Sequence, residues 1–184
     1  GRMASGHLQG RLLKMLVQLS GAKRILEIGT FSGYATICLS EGLPADGVVH
    51  TFEVNDEQED FTRPWLEGRY DHCGMADEVF RRIRFHIGDA RTLLPEIDEP
   101  FDLAFIDGDK RQYIECYELV MSHMRRGGLI LADNTLWDGH VLEANTHEAM
   151  TVGIKDFNDH VLRDPRVTRV MLPLRDGLTM IRIL

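Results

Sequence analysis

Apolar residues recur along the chain with two different periods, and stretches of one period alternate with stretches of the other. Five short runs rich in branched and aromatic residues predict buried strands at 24–28, 48–54, 83–87, 101–106 and 129–132. Apolar spacings of three and four residues predict helices at 8–19, 34–41 and 112–124. Strands that alternate with helices in this way indicate a parallel sheet covered by helices on both faces.

The C-terminal part departs from this alternation. A predicted helix has one apolar face, formed by Met150, Ile154, Phe157 and Val161. Two strand-like runs at 167–174 and 178–184 then flank Asp176-Gly177, which is typical of a hairpin. The predicted fold is therefore α/β: a Rossmann-like, doubly wound, mostly parallel sheet of seven strands, with an antiparallel strand from the C-terminal hairpin.

Composition limits the classes of partner. With 184 residues, of which 43% are hydrophobic, the chain is expected to form a single domain with a sizeable core. A net charge of −8 and scattered basic residues do not favour nucleic acid or an anionic membrane. Cys38, Cys73 and Cys116 lie far apart without metal or redox spacing, so we expect a reduced, cytoplasmic setting. No apolar run approaches the roughly 20 residues of a membrane span.

Acidic residues or glycines stand at the carboxyl ends of all five predicted parallel strands. In a doubly wound sheet, ligands bind at the carboxyl ends of the strands, where the strand order reverses. The residues at these ends are therefore candidates for binding and chemistry. In chain order they are Glu27 to Gly33, Glu53, Gly88-Asp89-Ala90, Asp107 to Lys110, and Asp133-Asn134.

The glycine loop after the first strand indicates a nucleoside ligand without phosphates. Its spacing is Gly29-xxx-Gly33, and Phe31 stands where a dinucleotide-binding loop has the glycine that admits a pyrophosphate. Glu53, 24 positions after Gly29, is suitably placed for ribose hydroxyls. S-adenosylmethionine fits this pattern, because its positive charges suit a rim containing Glu27, Glu53 and Asp109. For any one of these acids, a simple turn at a strand end is an equal alternative.

The fourth and fifth strands end in oxygen ligands. Asp107 and the pair Asp133-Asn134 should lie side by side, because these strands are expected to be neighbours in the sheet. Two carboxylates and an amide suit a hard cation such as Mg²⁺. A single Asp-Asn pair is more often a turn or a helix cap, but two aligned strand ends favour the metal site.

Three segments together resemble the cation-dependent S-adenosylmethionine O-methyltransferases of the caffeoyl-CoA and catechol type, particularly bacterial members. These segments are LEIGTFSGY from Leu26, FIDGDK from Phe105 and DNTLWDG from Asp133, and the resemblance covers nearly the whole chain. It implies a class I methyltransferase domain with a bound Mg²⁺, Mn²⁺ or Ca²⁺ ion, and a homodimer. The family usually has a helical segment ahead of Met3, which the chain is expected to lack.

The resemblance also assigns roles by position. Asp107, Asp133 and Asn134 are implied as metal ligands, and Asp107 and Lys110 as catalytic residues, with Lys110 the base near the substrate hydroxyl. Glu53 stands where many members have aspartate, which keeps the hydrogen-bonding chemistry. The implied cofactor contacts are Met3, Ser5, Glu27, Gly29, Ser32, Glu53, Ala90, Asp107 and Asp109.

The expected activity is metal-dependent methylation of a hydroxyl on a small ortho-dihydroxy aromatic, because two vicinal hydroxyls can reach one metal ion. Trp137 could stack on such a ring or could equally belong to the core. Two alternatives stay open. One is a tRNA wobble-uridine O-methyltransferase that uses the same apparatus, and the other is a non-catalytic nucleoside-binding module.

Overall fold

A computed structural model of the protein describes residues 5–70 and 74–184. The protein divides into two compact units, the first ending at Glu99 and the second running from Pro100 to Leu184. The described residues form seven strands: β1 (Arg24–Ile28), β2 (Val48–Glu53) and β3 (Ile83–Ile87) in the first unit, and β4 (Phe101–Ile106), β5 (Met124–Asp133), β6 (Val167–Leu172) and β7 (Leu178–Ile183) in the second. The strand order is β3-β2-β1 in the first unit and β4-β5-β7-β6 in the second. The predicted α/β fold, with a mostly parallel seven-stranded sheet, is confirmed.

The described part of the first unit contains three parallel strands and five α-helices. β2 pairs with both β1 and β3. The four residues of β1 that follow Arg24 are all buried, and Glu27 is one of them. The elements are α1 (Gly6–Ser20), β1 (Arg24–Ile28), α2 (Tyr34–Gly42), β2 (Val48–Glu53), α3 (Glu59–Leu66), α4 (Asp77–Arg81), β3 (Ile83–Ile87) and α5 (Ala90–Leu93).

The second unit contains four strands and two long helices. β4 and β5 are parallel, whereas β7 is antiparallel to both β5 and β6, as the hairpin signal predicted. Its aromatic core includes Phe157, whose ring meets Tyr113 and Tyr117 edge to face. The elements are β4 (Phe101–Ile106), α6 (Tyr113–His123), β5 (Met124–Asp133), α7 (Ala149–Arg163), β6 (Val167–Leu172) and β7 (Leu178–Ile183).

Helix α1 forms where the spacing predicted it, but it buries a different face. Leu8, Met15 and Leu19 are exposed, whereas Gln9, Gly10, Leu13 and Val17 are buried. The physical reason is close packing on α2. A Cβ atom added at Gly10 would lie 2.7 Å from the Cys38 sulfur, so only glycine permits this approach.

Further details differ from the predicted elements. Strand β5 begins at Met124, five positions before the predicted start at 129. In α7, Met150 is 37% exposed and Thr151 takes the buried position, because Thr151 is in phase with Ile154 and Phe157 and its hydroxyl donates to Glu148. Among the described residues, no helix combines the length and the apolar character that crossing a membrane requires.

Candidate functional site

The glycine loop after β1 is held in an uncommon backbone conformation. Gly29, Phe31 and Gly33 all have positive φ angles, of 97°, 47° and 77°. Gly33 is required here, since a Cβ atom would lie 2.7 Å from the Leu66 side chain. Phe31 is clamped on both sides: its N–H donates to Glu53 (2.9 Å), and its carbonyl accepts from the Thr62 hydroxyl (2.5 Å). A non-glycine residue keeps such a conformation only where its surroundings hold it.

Glu53, at the end of β2, ties this loop to the next turn. While Oε2 accepts from the Phe31 N–H, Oε1 accepts from the Asn55 N–H at 3.0 Å. The residue is only 9% exposed. Each carboxylate oxygen can accept more than one hydrogen bond, so these tethers leave acceptor capacity for a hydroxyl group. The predicted ribose contact of Glu53 stays a prediction.

Glu27 lies inside the first unit and not on a rim. It exposes none of its surface, and its Oε2 accepts from the hydroxyls of Thr36 (2.5 Å) and Thr51 (2.6 Å). The Thr51 hydroxyl is also 2.6 Å from that of Thr30, the residue after Gly29. In this structure Glu27 is therefore linked to the glycine loop through the hydroxyls of Thr51 and Thr30. A direct cofactor contact by Glu27 stays a prediction.

The other predicted cofactor positions are scattered over loops and helix starts. Ala90 opens α5, and Asp109 accepts from the Arg111 N–H and pairs with the Arg111 guanidinium. Ser5 is buried just before α1, Gly29 and Ser32 are half-buried, and Met3 lies outside the described residues. Their cofactor contacts are untested predictions.

In the second unit, the ends of β4 and β5 bring two carboxylates together. Ile106 is in register with Ala132, so Asp107 and Asp133 follow as neighbours. Asp133 is 4% exposed, and its Oδ1 accepts from the N–H of Asn134 at 2.8 Å. Asn134 itself has a φ of 60°. The structure thus brings together the three residues predicted as metal ligands, which we call the oxygen cluster.

Lys110 lies against this oxygen cluster. Its ammonium group donates to Asp107 Oδ1 (2.8 Å) and to the hydroxyl of Tyr113 (2.7 Å), and the residue is only 6% exposed. The Tyr113 hydroxyl in turn donates to the carbonyl of Asp133 at 2.8 Å. Tyr113 is fully buried, and desolvation raises its pKa well above the ordinary value. It therefore stays a neutral hydroxyl that ties Lys110 to the strand that ends in Asp133.

The electrostatics of the oxygen cluster favour a bound positive charge. Burial raises the pKa of Asp107 to about 6; Lys110 opposes this shift, and the neighbouring Asp133 carboxylate adds to it. Two carboxylates in a desolvated place repel one another unless a cation lies between or beside them. Lys110 supplies part of that charge. The donor set of two carboxylates and one amide is also what a hard divalent cation requires, so the residues fit such an ion.

The structure adds Asp176, which sequence reasoning passed over as a hairpin turn. Its carboxylate accepts from the Asn134 side-chain NH₂ (3.3 Å) and from the N–H of Asp138 (2.5 Å). Asp176 lies 42 positions from Asn134. In the sequence, Asp176 is recognisable as part of an Asp-Gly turn, but this turn signal does not indicate that its carboxylate contacts Asn134.

A pocket of about 400 Å³ adjoins Asp176 in the second unit. Trp137 supplies the aromatic wall, and Thr151 from α7 supplies a hydroxyl. His140 pairs with Glu143, which raises the pKa of the imidazole. The lining residues are Trp137, Asp138, His140, Glu143, Glu148, Thr151 and Asp176. This pocket has the size and the aromatic surface that a small ring compound needs.

Two other features carry no comparable chemistry. Glu118, His160 and Asp164 converge with metal-like spacing, but the Arg166 guanidinium donates to both carboxylates and already supplies the positive charge. A larger cleft of about 790 Å³ lies in the first unit, where Arg24 and Val48 begin β1 and β2. It is at the opposite ends of these strands from the glycine loop and is lined by charges of both signs.

Comparison with known proteins identifies the family. A model of the O-methyltransferase family matches residues 1–184. The chain belongs to this O-methyltransferase family. It is 36% identical to the catechol O-methyltransferase of Niastella koreensis, over 82% of the chain and 66% of that protein. It is 33% identical to caffeoyl-CoA O-methyltransferase 1 of Eucalyptus globulus, over 95% of the chain and 72% of that protein.

A solved structure supports the same assignment. The O-methyltransferase from Bacillus cereus, determined in complex with SAH, superimposes with a TM-score of 0.87. It is 30% identical in sequence, and the match covers 100% of this chain and 84% of that one. These matches confirm the O-methyltransferase family that the three sequence segments predicted.

Proposed function

We propose that the protein transfers the methyl group of S-adenosylmethionine to one hydroxyl of a small ortho-dihydroxy aromatic, with a divalent cation bound at the oxygen cluster. The observation that carries the proposal is the meeting of Asp107, Asp133 and Asn134 at two adjacent strand ends. Asp176, which accepts from the Asn134 amide, also lines the pocket that contains Trp137. A cytoplasmic setting, expected from the cysteine spacing, and a homodimer, implied by the family resemblance, belong to the same proposal.

The cofactor assignment rests on the glycine loop and on the related structure. SAH is S-adenosylmethionine after loss of its methyl group, and the Bacillus cereus relative was determined with it. In this chain, the clamp that Glu53 and Thr62 place on Phe31 fixes the loop backbone before any ligand arrives. Such preorganisation lowers the entropy cost of binding. Glu53 then offers its remaining lone pairs to the ribose hydroxyls.

Asp107, Asp133 and Asn134 would hold Mg²⁺, or Mn²⁺ or Ca²⁺ in its place. When bound, such a cation lowers the pKa of a hydroxyl that it touches and fixes the position of its oxygen. Burial of Asp133, and of Asp107 in part, strengthens this electrostatic attraction by limiting water. Lys110 holds the Asp107 carboxylate by a hydrogen bond, and Tyr113 holds the main chain of Asp133 through its carbonyl.

Lys110 is the group best placed to receive the hydroxyl proton. Its nitrogen lies 2.8 Å from the carboxylate of Asp107 and is almost fully buried, so bulk water does not compete strongly for that position. In the described state it donates to both Asp107 and Tyr113. To act as the base, the Lys110 ammonium group must first release one proton to water. The neutral amine can then accept the proton of the substrate hydroxyl at its position beside Asp107.

The class of methyl acceptor follows from the number of oxygens that it offers to the cation and from the pocket that contains Trp137. Two vicinal hydroxyls supply two oxygens to one cation, whereas a single phenol supplies one. Trp137 offers a face on which an aromatic ring can stack. The matched relatives named for catechol and caffeoyl-CoA agree with a substrate of this kind.

A comparison of catechol with phenol tests the proposal. We expect methylation of catechol at a kcat/KM at least about 100-fold above that of phenol, since one lost oxygen contact to a cation costs about 3 kcal/mol. The measurement is methyl transfer from labelled S-adenosylmethionine in the presence of Mg²⁺. Equal rates on the two compounds would contradict chelation, and methylation of unmodified tRNA alone would replace the small-molecule assignment.

A further inference from the structure

Asp176 is placed to control both the oxygen cluster and the loop that follows it. It lies in the turn between β6 and β7. Both oxygens of its carboxylate and its main-chain carbonyl accept hydrogen bonds from the segment 134–138. The carbonyl accepts from the Leu136 N–H at 2.8 Å, and the neighbouring Gly177 carbonyl accepts from the Thr135 N–H at 3.1 Å. This one turn therefore satisfies successive backbone donors of the segment that carries Asn134.

The segment needs such support because its backbone is strained. Asn134, Trp137 and Asp138 have φ angles of 60°, 49° and 49°, and none of them is glycine. Left-handed conformations of this kind are uncommon for residues other than glycine and persist where neighbouring groups impose them. Asp176 supplies that constraint at Asp138, because the Asp138 N–H donates to Oδ1 of Asp176 at 2.5 Å.

The second carboxylate oxygen decides how the Asn134 amide is turned. The NH₂ group of Asn134 donates to Asp176 Oδ2 at 3.3 Å. A carboxylate attracts the amide NH₂ and repels the amide carbonyl, so this contact selects the orientation in which the Asn134 oxygen points away from Asp176. An amide binds a hard cation only through its oxygen.

We propose that Asp176 is a positioning residue for the cation site: it orients the Asn134 amide oxygen and holds the 134–138 segment in its strained shape. The role rests on the proposed function, because it has a purpose only if Asn134 binds a cation. Hydrogen bonds behind a metal ligand commonly change metal affinity by about 10- to 100-fold. The turn also requires Gly177, since a Cβ atom there would lie 2.7 Å from the Leu136 nitrogen.

The test is direct titration of Mn²⁺ into the SAH-loaded protein, followed by the electron paramagnetic resonance signal of unbound Mn²⁺. The variant is Asp176→Asn, which keeps the shape but can no longer accept from both donors. The matched control is Asp138→Asn, which removes one exposed negative charge from the same loop and leaves the bonds to Asp176 in place. We expect Asp176→Asn to weaken Mn²⁺ binding by about 10- to 100-fold, and Asp138→Asn by less than about threefold, the size of a weak surface-charge effect.

Two further readouts separate positioning from general stability. SAH affinity by calorimetry and the thermal midpoint are measured on the same samples. A merely structural role for Asp176 would lower the midpoint and leave Mn²⁺ affinity of the folded protein unchanged, which would overturn the inference. Equal loss in both variants would assign the effect to charge alone and would also overturn it. A wild-type protein that binds no Mn²⁺ would remove the cation site itself, together with this role.

Discussion

Glu53 shows how a single side chain can serve the fold and a ligand together. Its two oxygens accept from the N–H groups of Phe31 and Asn55, and these contacts hold the glycine loop and the following turn in fixed positions. The same carboxylate is the predicted partner of the ribose hydroxyls. Because Phe31 has a positive φ angle, loss of Glu53 would relax the loop as well as remove a ligand contact.

We therefore expect Glu53→Ala to weaken SAH binding by about 1 to 3 kcal/mol, roughly 5- to 150-fold, as for the loss of hydrogen bonds to a charged group. Calorimetric titration of SAH measures this change directly. Exposed Glu57 is the matched control, because Glu57→Ala removes a nearby carboxylate whose side chain is not part of this clamp. Mn²⁺ affinity should stay near wild type in both. Unchanged SAH affinity in folded Glu53→Ala would remove Glu53 from the cofactor site.

At the scale of elements, β2 and β3 are joined by a pair of histidines. His50 Nδ1 lies 3.0 Å from His86 Nε2, the rings stack, and His86 also stacks on Phe52. Burial lowers the pKa of His50 to about 4, and the nearby His86 adds to the effect; burial also lowers the pKa of His86. Both imidazoles are therefore neutral in the folded protein under neutral conditions.

This pair makes stability fall as the solution becomes acidic. Below a pH of about 6.5, the unfolded chain binds protons at these histidines and the folded chain does not, so the free energy of unfolding decreases with decreasing pH. For His50 the loss by pH 5 is at most about 2 kcal/mol, and less to the extent that water reaches the ring. We expect urea unfolding of His50→Gln to show a weaker pH dependence between 7.5 and 5 than wild type. His7→Gln, at an exposed position, is the control; the same slope in all three proteins would contradict the assignment.

The elements also show where local sequence information ends. Strands β1 and β4 begin and end where runs rich in apolar residues placed them, because strands buried on both faces of a sheet leave a clear local pattern. Strand β3 also has the predicted bounds, although Ile83 is the one residue in it that is buried. The buried face of α1 could not be found in this way. It is set by the contact of Gly10 with α2, and the more apolar stripe with Leu8, Met15 and Leu19 is left exposed.

At the scale of the whole molecule, the residues of the oxygen cluster were predictable and their supports were not. Asp107 and Asp133 follow neighbouring strands, so sheet topology alone brings them together. Asp176 and Thr51 act across 42 and 24 positions of sequence through side-chain hydrogen bonds. Such contacts depend on the folded geometry and leave no periodic signal. The position of these residues at the carboxyl ends of the strands could thus be predicted from the sequence. The groups that orient each side chain by hydrogen bonds could not.

The dependence of methyl transfer on a divalent cation tests the central claim most directly. The protein is dialysed against EDTA, and transfer from S-adenosylmethionine to catechol is then measured before and after Mg²⁺ is added back. We predict that transfer falls by at least about 100-fold after chelation, as for loss of the group that activates the oxygen, and that Mg²⁺ or Mn²⁺ restores it in wild type but not in Asp133→Ala. Full turnover in the chelated protein, with SAH affinity and fold unchanged, would contradict the account.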